Sequence, residues 1–221
     1  PGRPEADENY KIEFYFHNNA WLWKGLYRTI WLLKKLGKTE QAQKLADLNA
    51  AFKKSIDRAM EASTVNIEGI GPVVKPWLEF GEMWQNCGDD IEAIYCNYRY
   101  YPELLESGLL SQEQAMALIN YREKRSGEMM GMTRFFPSTL DNWPIASYGR
   151  ALMQLGLKDR FLKVLLGHTR LYMSEDTFTA YEHITAVTNP RVPFSDFCVP
   201  AQLVTPRMLR WYYLSGMNTV S

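Results

Sequence analysis

Cysteine is scarce and badly placed for cross-linking. Cys87, Cys96 and Cys198 are odd in number and far apart, so neither a disulfide framework nor a CxxC metal site can be built from them. They read as small buried apolar residues. A basic run is also missing, and 25 Lys plus Arg balance 25 Asp plus Glu. That leaves no electrostatic footprint for a polyanionic backbone, so no nucleic-acid partner is expected. No apolar stretch approaches the ~20 residues that span a bilayer, and no membrane partner is expected either. The opening PGRPEADENY has no starting Met and no secretory pattern, which makes the chain read as a piece of a larger polypeptide. HExxH, GxxxxGK, GxGxxG, GxSxG and DxDD are all missing, which removes the usual signatures of metalloproteases, nucleotide binders, serine hydrolases and one class of terpene cyclase. His17, His168 and His183 are far apart in the chain. A metal centre would need tertiary convergence, and no cofactor is expected.

What is present is apolar and aromatic. Hydrophobic residues make up 46% of the 221, enough for a sizeable core, and aromatic residues 14%, with seven Trp and thirteen Tyr. Several lie in segments without helical periodicity. Such surfaces suit sugars and other flat ligands.

Helical spacing organises the chain. Asn18 or Asn19 can cap a helix running to about Lys35, with Leu22, Leu26, Ile30 and Leu33 on one face and Trp23, Tyr27 and Trp31 beside it. So broad an apolar surface predicts packing on two sides. Gly37 stops it, and Thr39 opens a second helix to about Ala62. A segment from about Asp89 to Glu106 ends at Gly108, and Ser111 caps the next helix. Pro144 opens 145–155, Gly156 ends it, and helices over 158–172 and from about 200 to 214 follow. The connectors LGKT, SGLLS and LGLKD have the length expected between antiparallel neighbours. Segments 1–17, 63–88, 126–143 and 173–200 are long, and alternating helix directions bring them to one end. Long structured loops in compact domains are usually functional. The expectation is an all-α fold, a single helical domain over 1–221 built of antiparallel hairpins.

Residues 174–200, SEDTFTAYEHITAVTNPRVPFSDFCVP, place Glu182, His183 and Asp196 among Phe178, Tyr181 and Phe194. Carboxyl groups beside aromatic rings suit glycoside hydrolysis, because a partly desolvated acid keeps its proton near neutral pH while rings stack on the sugar. Local capping of Glu182 and simple packing of His183 compete with that reading. In GMTRFFPSTLDNWP, 131–144, Arg134, Asp141, Asn142 and Trp143 are compressed before a helix start. Asp141 is a candidate catalyst or a helix cap. Arg134 could hold a substrate group or pair with Asp141. Glu13 lies between Ile12 and Phe14 in an acidic entry segment, and Trp84 stands beside Glu79 and Glu82 in a sugar platform or an ordinary core contact.

Taken together, NYRYYPELLESGLL (97–110), GMTRF (131–135), LDNWP (140–144), TFTAYEHI (177–184) and DFCVPAQLVTPRMLRW (196–211) resemble bacterial members of the six-hairpin glycosidase superfamily. The resemblance implies the later half of an (α/α)6 toroid, in an enzyme of polysaccharide breakdown located outside the cytoplasm. It also implies that the rest of a larger polypeptide, or another subunit, supplies the remainder of the cleft. Glu182 in TAYEHI and Asp141 in LDNWP match acidic positions of such loops, with Asp196 in SDFCVP as a third. Glu182 is then the general acid and Asp141 or Asp196 the base, with Arg134, Trp143, Tyr181, His183, Glu13 and Trp84 binding substrate. An inverting pair would stand about 6.5 to 9.5 Å apart and a retaining pair about 5 to 5.5 Å. Two alternatives stay open. One is a polysaccharide lyase using Tyr181 or His183 as base and Arg134 to neutralise a uronate. The other is a glycan-binding or scaffolding domain without turnover.

Overall fold

The computed structural model describes residues 12–129, 131–136, 138–142, 144–174, 177–185 and 198–217. Helices α1 (Phe16–Lys35) and α2 (Thr39–Ala62) form an antiparallel pair. Gly37, at φ 72°, makes the turn, with Lys38 N–H closing on the Leu33 carbonyl at 2.9 Å. Helix α1 starts before the expected Asn cap because its entrance is tied to a distant segment: Phe16 N–H donates to the Pro76 carbonyl at 3.1 Å. The Asn19 side chain donates back to the Tyr15 carbonyl at 2.7 Å instead of capping. Packing covers less of α1 than its apolar surface predicts. It meets α2 and the later α4 (Tyr101–Ser107), while Leu22, Tyr27 and Trp31 remain more than half exposed.

The helical stretch expected over 89–106 is interrupted. Asp90 caps α3 (Ile91–Tyr95) by accepting from Ala93 N–H at 2.7 Å, a π-helical turn spans Cys96–Tyr100, and α4 completes it. Asn97 on that turn is buried and donates to the carbonyls of Gly127 at 3.0 Å and Arg134 at 2.8 Å. The wider turn thus fastens the helix to the segment that carries the site. Ser111 and Gln114 form a reciprocal capping box at the start of α5 (Gln112–Lys124). Helices α6 (Ile145–Gln154), α7 (Lys158–Leu171), α8 (Val199–Gln202) and α9 (Val204–Met217) follow. Helix α6 packs on α4, α7 and α9, so α2, α1, α4, α6 and α9 form a row of neighbours.

The all-α expectation, with hairpins forming part of an (α/α) toroid, is overturned. The fold is mixed α/β, 61% helical with 13% strand in two small antiparallel sheets. Strand β1 (Thr64–Ile67) pairs with β2 (Gly71–Val74), and β3 (Glu128–Met129), β4 (Met132–Arg134), β5 (Thr139–Asp141) and β6 (His183–Thr185) form a four-stranded sheet in that order. The reason lies in strand length. Each strand has two to four residues, too few for alternation to register, and β5 and β6 meet only through tertiary pairing. The six strands found among the described residues lie inside the long connecting segments. One buried cluster runs from Tyr15 and Trp77 through Tyr100, Leu118 and Leu152 to Met208, and joins helices and sheets in a common core.

Candidate functional site

The last two strands of the larger sheet build the site. Their antiparallel register sets Thr139 against Thr185, Leu140 against Ile184 and Asp141 against His183. Directly opposed residues point to the same face, so the alternation that buries Leu140 and Ile184 together also brings the Asp141 carboxylate and the His183 ring together. His183 Nε2 lies 2.7 Å from Asp141 Oδ2. Asp141 is 1% exposed, whereas the His183 side chain is 16% exposed.

The surroundings hold the imidazole in place. Phe135 stacks on it, with centroids 5.0 Å apart and planes within 1°, and Tyr98 from the π-turn meets Phe135 edge-on at 4.6 Å. Burial alone would lower the His183 pKa, but the hydrogen bond and charge of Asp141, with the charge of Glu182, raise it above its ordinary value. Asn142, also buried, donates through Nδ2 to the Tyr181 carbonyl, and Tyr181 N–H donates to the Tyr172 carbonyl at 3.3 Å. Burial and then the charge of Asp141 keep the Tyr172 phenol well above its usual pKa, so it stays a neutral hydroxyl. The Cys198 thiol is also pushed up, by burial and by the charges of Glu182 and Asp141, against a hydrogen bond from the Ala201 backbone. The shift favours the thiol over the thiolate.

Among the residues expected from the sequence, Asp141, Glu182, His183 and Tyr181 come together on the β5–β6 pair. Glu182 is half-buried, immediately before β6, and its charge reaches both His183 and Cys198. Arg134 is opposed to Leu140, one position away from the Asp141 pairing, and lines a small cavity of about 40 Å3 with Phe135 and Phe136. Trp84 lies in a different cleft, and the Glu13 segment runs beside Trp77 and Leu78. Asp196 and Trp143 fall outside the described residues. Phe135, Asn142 and Tyr172 are neighbours that sequence reasoning did not select. Asn142 carried a signal, as a polar residue beside Asp141 just ahead of Pro144.

Chemically, a carboxylate hidden from solvent orients an imidazole that reaches it, and a second carboxylate sits next door. That arrangement can carry a proton in either direction. Among the described residues no group of three His, Cys, Asp or Glu side chains could hold a metal ion, and no helix is long and apolar enough to cross a membrane. No family model, no curated protein and no solved structure matches the chain.

Proposed function

We propose that this chain is a carbohydrate-active enzyme, or the part of one that cleaves glycosidic bonds by acid/base catalysis. The Asp141–His183 pair with Glu182 beside it is the observation that carries the reading. Asp141 is enclosed and engaged by His183, so it acts on substrate only through the imidazole. Charge suggests the roles. The hydrogen bond and charge of Asp141, with the charge of Glu182, favour the protonated imidazole against the effect of burial. His183 then donates a proton to the departing glycosidic oxygen, and Glu182 takes the proton of the attacking water. This exchanges the roles that the sequence alone suggested for Glu182. Tyr181 and Phe135 supply apolar surface next to the reacting centre. The resemblance of TAYEHI and LDNWP to glycosidase loops supports the same reading.

A second reading is favoured by the same imidazole. A His buttressed by a buried Asp is also a competent base for removing the proton next to a uronate carboxylate, which gives β-elimination. The test is to incubate the protein with a panel of neutral and acidic polysaccharides, following both reducing ends and ultraviolet absorbance. Hydrolysis gives reducing ends without absorbance, and elimination gives both. Absence of either product across the panel, with binding retained, would leave a glycan-binding domain and end the enzyme reading.

A further inference from the structure

A cleft of about 320 Å3 opens between the β1–β2 hairpin, the segment 81–85 and the end of α5. One wall is apolar, made by Val65, Ile67, Met83 and the Trp84 ring. The ring is fixed: its Nε1–H donates to Asp90 Oδ2 at 3.0 Å, and Phe80 packs on it at 4.5 Å between centroids. Two cations also line the cleft, Lys75 and Arg125. Lys75 Nζ gives one hydrogen bond, to the Phe80 carbonyl at 2.9 Å, and keeps further N–H groups to offer. Arg125 has its Nε buried with no hydrogen-bond partner, and among the described residues it makes no ion pair. Glu82 is the one carboxylate lining the cleft, and it is exposed. That nitrogen is closed to solvent, so a ligand in the cleft would meet the terminal guanidinium groups of Arg125 instead.

A separate, smaller cavity is lined by the residues that follow in the chain: Gln85 and Arg125 line the cleft, and Asn86 and Ser126 line the smaller cavity together with Arg134 and Phe135. Cys87 N–H donates to the Arg125 carbonyl at 2.8 Å and ties the two borders together. The Phe135 ring then stacks on His183.

We propose that the Lys75–Trp84–Arg125 cleft is a subsite for a carboxylated sugar ring, a uronic-acid unit of the glycan. This substrate class rests on the glycan-cleaving reading above. The planar guanidinium matches a carboxylate bidentately, Lys75 adds a point charge, and the apolar wall with its fixed indole takes the ring that bears the carboxylate. Two cations and one carboxylate leave the cleft with one net positive charge, which a single uronate balances. A bare phosphate would leave the indole wall without a partner.

Calorimetric titration with oligosaccharides of galacturonate, glucuronate and mannuronate, each against its methyl ester, tests the subsite. At least one acid form should bind the wild type, with its ester at least 10-fold weaker. Arg125→Gln should weaken the acid form at least 10-fold and Lys75→Gln several-fold. Equal binding of acid and ester, no binding of any acid form at millimolar concentration, or full affinity in Arg125→Gln would overturn the subsite. The ester comparison uses only wild-type protein and so does not depend on a variant folding. Products are followed in the same samples. Binding of a uronate without cleavage keeps the subsite and removes the enzyme reading, whereas cleavage of a neutral glycan without preference for the acid form does the reverse.

Discussion

The Arg122 guanidinium lies over the ring of Tyr148, its carbon 4.4 Å from the ring centroid, in a place where both side chains are fully buried. Its nitrogens are used up: Nε donates to Asn97 Oδ1 at 3.2 Å, and the terminal groups donate to Glu128 Oε1 and Thr133 Oγ1, each at 3.0 Å. One side chain of α5 therefore joins the π-turn, β3, β4 and α6. Removing one partner of a buried ion pair leaves an uncompensated charge, here Glu128, which typically costs about 3–5 kcal/mol. Arg122→Ala should lose about that much in urea unfolding, and a loss below about 1 kcal/mol would show that the network is dispensable.

Two glycines should respond in opposite directions to alanine. A Cβ on Gly127 would collide with the Asn97 side chain and lie 2.9 Å from the Arg122 backbone oxygen, and Asn97 is already committed to two carbonyls. Gly127→Ala should destabilise by roughly 1–3 kcal/mol, the range of overpacking in a tight core. Gly25 lies inside α1 with open space where its Cβ would be. Gly25→Ala should stabilise by about 0.5–1 kcal/mol through helix propensity. Equal effects at the two positions would mean that the crowding at Gly127 relaxes freely.

The contrast between helices and sheets explains what could be read from the chain. Helices of 10 to 24 residues repeat their apolar positions several times, and Gly37, Ser111 and Gly156 mark their ends, so α1, α2, α5, α6 and α7 are legible. β5 is TLD and β6 is HIT, three residues each, and nothing in either announces the other. Asp141 and Glu182 were identifiable as acids near aromatic rings. The partnership of Asp141 with His183 was not, because it depends on a register that only tertiary packing sets. The π-turn escaped for a similar reason: NYRY keeps ordinary helical composition, and its purpose lies in the distant carbonyls that Asn97 reaches.

Acid should destabilise the protein through two histidines away from the site. His17 is buried against Tyr100, stacked at 4.2 Å and 4°, and burial first, then the nearby Arg99 charge, lower its pKa to about 3. Burial lowers His168 to about 4. Both folded-state values are depressed below the unfolded value near 6.5, so the unfolded chain binds more protons in that interval. Their contribution is fully present above pH 6.5 and is lost as the pH falls toward 3 to 4. His17→Phe, which preserves a ring against Tyr100, should flatten the acid limb of stability measured by thermal melts from pH 7 to 4. An unchanged slope would locate the acid sensitivity elsewhere.

At the site the sign is opposite, and it gives a test that does not require a substrate. The His183 pKa is raised in the folded state by Asp141 and Glu182 against the effect of burial. The protonated pair therefore adds stability that is fully present below the unfolded value near 6.5 and is lost as pH rises through the higher folded value. Asp141→Asn keeps the shape but removes the charge, and should lower the His183 pKa, read by NMR titration of the imidazole protons. If His183 donates the proton, the same substitution should reduce glycan cleavage by about 100-fold or more and shift the alkaline limb of the rate profile to lower pH by the amount seen in the NMR titration. A rate loss with no shift of that limb would make Asp141 a scaffold for the β5–β6 pairing, and a fall in rate confined to Glu182→Gln would leave His183 outside the chemistry.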